Sequence, residues 1–261
     1  MRAHLHYRQG QQHQWDAMMA LAEGMARYGI DADVTDSYAA GRADFVVWWG
    51  DKVPEPLHAK PRLILEAGFI NGRSGDYVTD RLRFVSAGWS GLHGRADPGP
   101  LDRPPHRWDA LAEAMMPWRT EGTTTLICGQ HPGDATAPRA QKWWRGAIEY
   151  ATARGLTVIY RPHPLMAPDI RPLRESLADA AICVTWSSTC GIQSVIAGVP
   201  TIAMDRGSMA WPVASHDFDE KPYLGDRSQW AYNLAYRQWT HAELADGSAW
   251  EYMKYGIENI S

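Results

Sequence analysis

A chain of 261 residues with 45% hydrophobic and 21% charged composition is neither disordered nor fibrous. It is long enough for one large core or for two lobes of roughly 120 residues each. A net charge of −4 excludes strong overall attraction to nucleic acid or anionic membrane. The three cysteines, Cys128, Cys183 and Cys190, form no CxxC pair, which excludes a zinc ribbon and a disulfide-stapled scaffold.

No run approaches the roughly 18 to 20 apolar residues of a membrane span, and Met1-Arg2-Ala3-His4-Leu5-His6 has no apolar signal core. A cytoplasmic protein with no membrane partner is therefore expected. Thirteen tryptophans against four phenylalanines stand out. Indole rings fill cores, and they also stack on sugars and bases.

In chain order, residues 3 to 7 read as a strand and residues 11 to 28 as a helix, with Trp15, Met18, Met19, Leu21, Ala22 and Met25 at helical spacing. Strands follow at Asp44 to Trp49, Arg62 to Glu66 and Arg83 to Ser86, the last leading into a glycine-rich loop from Gly88 to Gly94. These strands lack strict polar alternation, which points to burial on both faces and so to a parallel sheet flanked by helices. Four prolines between Asp97 and Pro105 exclude helix or central strand there. After a helix near 106 to 116 the alternation restarts: strands at 123–128, 156–160, 181–185 and 200–204, helices at 138–153, 170–179 and 189–197. A helical tail rich in Trp and Tyr begins near residue 228.

Open parallel sheets bind ligands beyond the carboxyl ends of their strands. In the second half those positions hold Gly129-Gln130-His131-Pro132-Gly133-Asp134, then Arg161-Pro162-His163-Pro164, then Trp186-Ser187-Ser188-Thr189. A guanidinium and an imidazole on a proline-stiffened loop suit phosphate oxygens, and hydroxyls at a helix start suit an anion. Each also has a plain structural reading: Ser187 to Thr189 and Asp134 as helix caps, Arg161 in an ion pair, His163 as a packed histidine. Three successive strands ending in such groups favour a nucleotide-type site.

The second half, with Gly129-Gln130…Asp134, Arg161-Pro162-His163-Pro164, Ser187-Ser188 before a helix and Gly198-Val199-Pro200, resembles the donor lobe of GT-B glycosyltransferases, most closely the capsular-polysaccharide Kdo transferases. Glu66-Ala67-Gly68-Phe69-Ile70…Arg73 is similar to that family's Glu-Asp-Gly-Phe-Leu-Arg stretch, with Ala67 where the family has its aspartate. The Glu-x-Gly-Phe and Gly-Trp-Ser-Gly-Leu-His-Gly-Arg stretches also look like small glycosyltransferase-like proteins of tailed bacteriophages, some of which decorate hydroxymethylated pyrimidines in DNA. Arg139, Lys142 and Arg145, interleaved with Trp143 and Trp144, suit that acceptor or form a solvated helix face over two core tryptophans.

The resemblance implies an α/β fold of two Rossmann-like lobes of GT-B type, with a cleft between them and a helical C-terminal tail. Residues 1–118 would form the acceptor-side lobe, 119–227 the nucleotide-sugar donor lobe and 228–261 the tail. The expected reaction moves a sugar from a nucleotide-sugar donor to a hydroxyl acceptor. The DNA of a phage, in the host cytoplasm, is one acceptor it implies, and a Kdo-like polysaccharide is the alternative. Donor contacts fall on Gln130, Asp134, Arg161, His163, Ser187, Ser188 and Thr189; Glu66 is the catalytic carboxylate; Gly68, Arg73, Trp89 and His93 face the acceptor. Asp31-Ala32-Asp33 and Asp217-Phe218-Asp219 match a metal-binding DxD pattern only as strings, so no metal is expected, and no cofactor beyond the nucleotide-sugar co-substrate. A glycerophosphotransferase, whose nucleotide lobe uses a similar His-Pro and serine arrangement, and a non-catalytic nucleotide-binding module are the rival readings.

Overall fold

The structure is a computed structural model that describes residues 1–70, 83–111, 114–133, 143–167 and 171–258. The chain divides into two compact units: Met1–Pro104 with Tyr232–Ser261, and Pro105–Ala231. Each is built on its own sheet.

In the first unit, β1 (Arg2–His6), β2 (Asp31–Thr35), β3 (Phe45–Trp49) and β4 (Arg62–Ala67) run parallel. β5 (Val85–Trp89) lies antiparallel to β4, and β10 (Gln238–Trp239) antiparallel to β5, giving the order β10-β5-β4-β3-β1-β2. The apolar runs become strands because both faces are covered: Phe45, Val46 and Val47 are wholly buried. The helix Gln12–Ala26 turns Ala17, Met18, Leu21 and Met25 inward at helical spacing. Its Gly24 lies directly against the Leu244 carbonyl, where no Cβ would fit.

Three features differ from expectation. β2 reads as polar, Asp-Ala-Asp-Val-Thr, yet it is a strand; at the sheet edge it pairs with β1 alone and stays half-exposed, so polar residues cost little there. β5 extends through Gly88 and Trp89, residues expected in a loop. The C-terminal segment is not a tail of helices alone, because residues 232–261 belong to the first unit and supply a strand and core residues. Trp250 is 1% exposed and stacks on Phe45 with centroids 5.8 Å apart, and Trp239 is equally buried. Fully burying an aromatic of this kind stabilises by roughly 1.5–3 kcal/mol, which accounts for the tryptophan content of this segment.

In the second unit, β6 (Thr124–Cys128), β7 (Val158–Arg161), β8 (Ala180–Thr185) and β9 (Thr201–Ala203) are all parallel in the order β7-β6-β8-β9. Side chains alternate between two buried faces. Leu126, Cys128 and Cys183 pack with Leu177 on one face, while Ile127, Val184 and Ile202 pack with Ala147 on the other. The helices Trp143–Ala153, Leu173–Leu177 and Cys190–Ile196 connect the strands.

Candidate functional site

Both sheets contain a topological switch point, where the chain turns outward in opposite directions from neighbouring strands and leaves a crevice at their carboxyl ends. In the second unit the chain passes from β6 to β7 on one side, then returns across β6 to β8. Cys128 registers with Thr185, so the residues that follow β6 and β8 emerge side by side. There the Gln130 amide donates to Ser187 Oγ at 3.0 Å, and Gln130 Oε1 accepts from the Ser187 backbone N–H at 3.2 Å. Ser187 is 3% exposed. Gln130 and Ser187, two of the residues expected at the donor, are thus locked together beyond the carboxyl ends of β6 and β8.

The others have distinct roles. Ser188 caps locally: its Oγ accepts from the Cys190 N–H at 3.2 Å, while its own N–H donates to Thr185 Oγ1. Thr189 precedes the helix Cys190–Ile196 and makes no side-chain cap bond. His163 Nδ1 accepts from the Leu165 N–H at 3.2 Å, capping the short turn Pro164–Met166, and its ring meets His131 edge-on at 5.5 Å. Asp134 lies outside the described residues.

Arg161 is placed differently from expectation. It is the last residue of β7 rather than the first of the loop, and its register with Cys128 turns it to the face covered by the helix Leu173–Leu177. Nη1 donates to the Arg171 carbonyl at 2.6 Å and to Ser176 Oγ at 3.2 Å, and the residue is 6% exposed. Arg161 is therefore a buried brace beneath the crevice.

Beside it lies a thiol cluster that spacing alone does not reveal. Cys128 and Cys183 are 3.8 Å apart, sulfur to sulfur. A hydrogen bond from Cys128 holds the part-buried Cys190 thiol below its ordinary value, with the Ser188 hydroxyl and the Arg161 charge assisting. The same contacts, with burial, push the Cys128 thiol well up.

In the first unit Glu66 is half-buried near the end of β4, and Oε1 accepts from the Ala67 N–H at 2.9 Å. Its carboxylate lies beside Gly50, the residue following β3. Gly68 is a packing residue: its N–H donates to the Phe84 carbonyl at 2.8 Å, and a Cβ would sit 2.7 Å from that of Phe84. Trp89, expected as a stacking platform, is 3% exposed with its indole N–H donating to the Met253 carbonyl at 2.7 Å. The cause is the extension of β5, which carries the ring into the core. His93 sits in a short turn with a φ of 54° and packs edge-on against Phe69. Arg73 lies outside the described residues, as do Arg139 and Lys142. Trp144 stacks on Tyr160 at 4.5 Å and Trp143 packs into the same apolar cluster, so these two serve the core.

The first switch point, between β1 and β3, holds residues that the sequence reading missed. His6 lies flat on Trp48, centroids 3.8 Å apart and planes 6° apart, and Tyr38 packs against both rings, 4.8 Å from His6 and 5.7 Å from Trp48. Burial lowers its pKa below the usual histidine value, opposed by donation to the Asp36 carbonyl. His4, two residues back on the same face, is lowered for the same reason.

The DxD strings are structural. Asp31 and Asp33 lie within β2, Asp217 closes its own turn, and Asp219 accepts from the Tyr150 hydroxyl at 2.5 Å and pairs with Arg154. Among the described residues no group of three or more His, Cys, Asp or Glu could hold a metal ion, and no helix is long and apolar enough to cross a membrane.

No family model and no curated protein matches the sequence. Solved structures do match. The chain is similar to the beta Kdo 2,7 transferase of Thermosulfurimonas dismutans KpsC, with a TM-score of 0.54 and 13% identity over 95% of this chain and 98% of that one. It is also similar to the beta Kdo 2,4 transferase of the same KpsC, with a TM-score of 0.58 and 14% identity over 91% of each chain. At these identities the likeness establishes the fold: two α/β units of parallel-strand character, of the Kdo-transferase type.

Proposed function

We propose that this chain is a glycosyltransferase that binds a nucleotide-sugar donor at the carboxyl ends of β6 and β8. The observation that carries the reading is the Gln130–Ser187 lock at the second switch point, a position where parallel sheets of this class receive nucleotides. The likeness to two Kdo transferases supports the same reaction class. In the reaction an acceptor oxygen would bond to the anomeric carbon as the bond to the nucleotide phosphate breaks. The acceptor proton would pass to a base, and Glu66 is the proposed carboxylate. The hydroxyls of Ser187 and Ser188, whose backbone N–H groups are taken by Gln130 and Thr185, would stabilise the charge that develops on the leaving phosphate. Arg161 would act through its hold on β7 rather than by touching the donor.

The test is a panel of nucleotide sugars, activated Kdo included, incubated with saccharide acceptors and with plain or hydroxymethylated DNA. Free nucleotide and acceptor mass are then read by mass spectrometry. Sugar transfer with nucleotide release is expected. Transfer of phosphorus to the acceptor would replace this reading with phosphotransfer, and no binding or consumption of any donor would remove it.

A further inference from the structure

The second unit carries nucleophiles that the proposed reaction does not use. Its three cysteines, far apart in sequence, meet on one face of the sheet beside Arg161. Cys128 ends β6, and Cys183 stands in β8 opposite Leu126, so strand alternation turns both sulfurs to the same side, 3.8 Å apart. Cys190, the first residue of the helix Cys190–Ile196, packs against the same cluster. Cys128 directs its thiol proton to Cys190 as well as contacting Cys183, which makes it the shared neighbour of the other two.

Exposure separates the three. Cys128 is 1% exposed and Cys183 fully buried, whereas Cys190 is part-exposed and is the thiol open to a dissolved reagent. The Ser188 hydroxyl and the Arg161 charge favour its thiolate, the form that reacts with oxidants. A thiol oxidised to a sulfenic acid condenses with a second thiol within reach to give a disulfide. Such a bond needs sulfurs that can approach to about 2.05 Å, and thiols already in contact require little movement to do so. Cys190 can supply it, because a helix start is the part of a helix that frays, and the local restraint is the single bond from the Cys190 N–H to Ser188 Oγ at 3.2 Å.

We propose that Cys190 and Cys128 are a peroxide-sensitive pair that closes reversibly into a disulfide. The Cys190 sulfur attacks one oxygen of hydrogen peroxide, the O–O bond breaks, and the sulfur becomes a sulfenic acid as the other oxygen leaves as water. The Cys128 sulfur then attacks the Cys190 sulfur; the S–O bond breaks, and the departing hydroxide takes the Cys128 proton to form a second water. Two thiols and one peroxide yield one disulfide and two waters, the sulfurs supplying the two electrons that the peroxide accepts. The bridge would join the end of β6, just before Gln130, to the helix that follows Ser187, so oxidation would act on the crevice whatever ligand it takes. The pair stands whether or not the donor reading holds. The plain alternative is that the three thiols serve as small apolar packing groups.

The test treats the reduced full chain with hydrogen peroxide, quenches free thiols with N-ethylmaleimide, and digests the single-chain species with trypsin and chymotrypsin; cleavage after Trp186 separates Cys183 from Cys190. Non-reducing mass spectrometry should find the Cys128 and Cys190 peptides joined with the loss of two hydrogens, and dithiothreitol should release them. Cys190→Ser should abolish the internal bridge, and Cys183→Ala should retain it. A wild-type Cys190 that stays reduced or ends as sulfinic or sulfonic acid, a bridge from Cys128 to Cys183 instead, bridges found only between two chains, or internal bridging unchanged in Cys190→Ser would each overturn the proposal. Should a variant fail to fold, the wild-type peptide map decides alone.

Discussion

Gln130 and Ser187 each use the other as a hydrogen-bond partner, side chain to hydroxyl at 3.0 Å and backbone N–H to side chain at 3.2 Å. The pair ties the loops after β6 and β8 into one surface. Gln130→Ala should therefore lower nucleotide affinity by more than it lowers stability. Losing one neutral hydrogen bond costs about 1 kcal/mol of stability, whereas a released loop no longer presents its hydroxyls at fixed positions. Calorimetry with nucleoside diphosphates beside thermal melting checks this. A fall in melting temperature with unchanged affinity would place the nucleotide elsewhere.

Arg161→Ala should act first on the fold. The substitution leaves the Arg171 carbonyl and the buried Ser176 hydroxyl without their charged donor. A loss on the order of 3 kcal/mol is expected, read by urea denaturation. A variant as stable as the wild type would show that the brace is dispensable.

Much of this was legible in sequence, for a physical reason. Phe45 to Trp49 and Thr124 to Cys128 are apolar without alternation because both faces of their sheets are covered, and turns rich in Gly, Ser or Pro mark where they stop. The residues that follow β6 and β8 could be picked out on that basis. β2 and β10 could not: one is an edge strand with polar residues, the other is two residues long and pairs with Val85 and Ser86, far back in the sequence. Without β2 the strand order, and with it the first switch point at His6 and Trp48, stays hidden. Arg161 and Trp89 were misread because their strands run one and three residues further than expected, enough to turn a side chain from solvent into the core.

Cys190 should be the reactive thiol of the three. The hydrogen bond from Cys128 holds its pKa below the ordinary thiol value, and it is part-exposed while Cys128 and Cys183 are buried. Alkylation by iodoacetamide, followed by peptide mass spectrometry, should modify Cys190 first, with a pH inflection below the ordinary thiol value. Cys128→Ala removes the S–H donor and should move that inflection upward. An inflection near the ordinary thiol value in the wild type would contradict the contact.

His4 and His6 set an acid limit on stability. Both imidazoles have folded pKa values below the ordinary 6.5, so the unfolded chain binds protons more readily than the folded one. Stability is then fully present above about 6.5 and declines as the pH falls below it. Chemical denaturation at pH 7.5 and pH 5.5 should show the drop, and His6→Phe, which keeps a ring against Trp48, should shrink it. An unchanged drop in that variant would shift the effect to other groups.

Gly256→Ala should be poorly tolerated. The Cα of Gly256 lies flush against the indole of Trp89, so an added methyl would overlap the ring. Overpacking a well-filled core costs about 1–3 kcal/mol, and melting temperature measures it directly; a neutral outcome would mean that Trp89 has room to shift.

The division of the chain into Met1–Pro104 with Tyr232–Ser261 around Pro105–Ala231 carries a consequence for biosynthesis. The second unit is one continuous stretch, and it can close on itself as soon as it leaves the ribosome. The first unit cannot, because the partner strand for Val85 and Ser86, the carbonyl that receives the Trp89 indole and the ring that covers Phe45 all arrive only after the second unit has been made. During translation the first unit waits until the second has been made. A nascent chain stalled before Gln238 would hold a finished second unit beside a sheet with β5 still open at its edge, the state in which this protein is most exposed to proteolysis and aggregation.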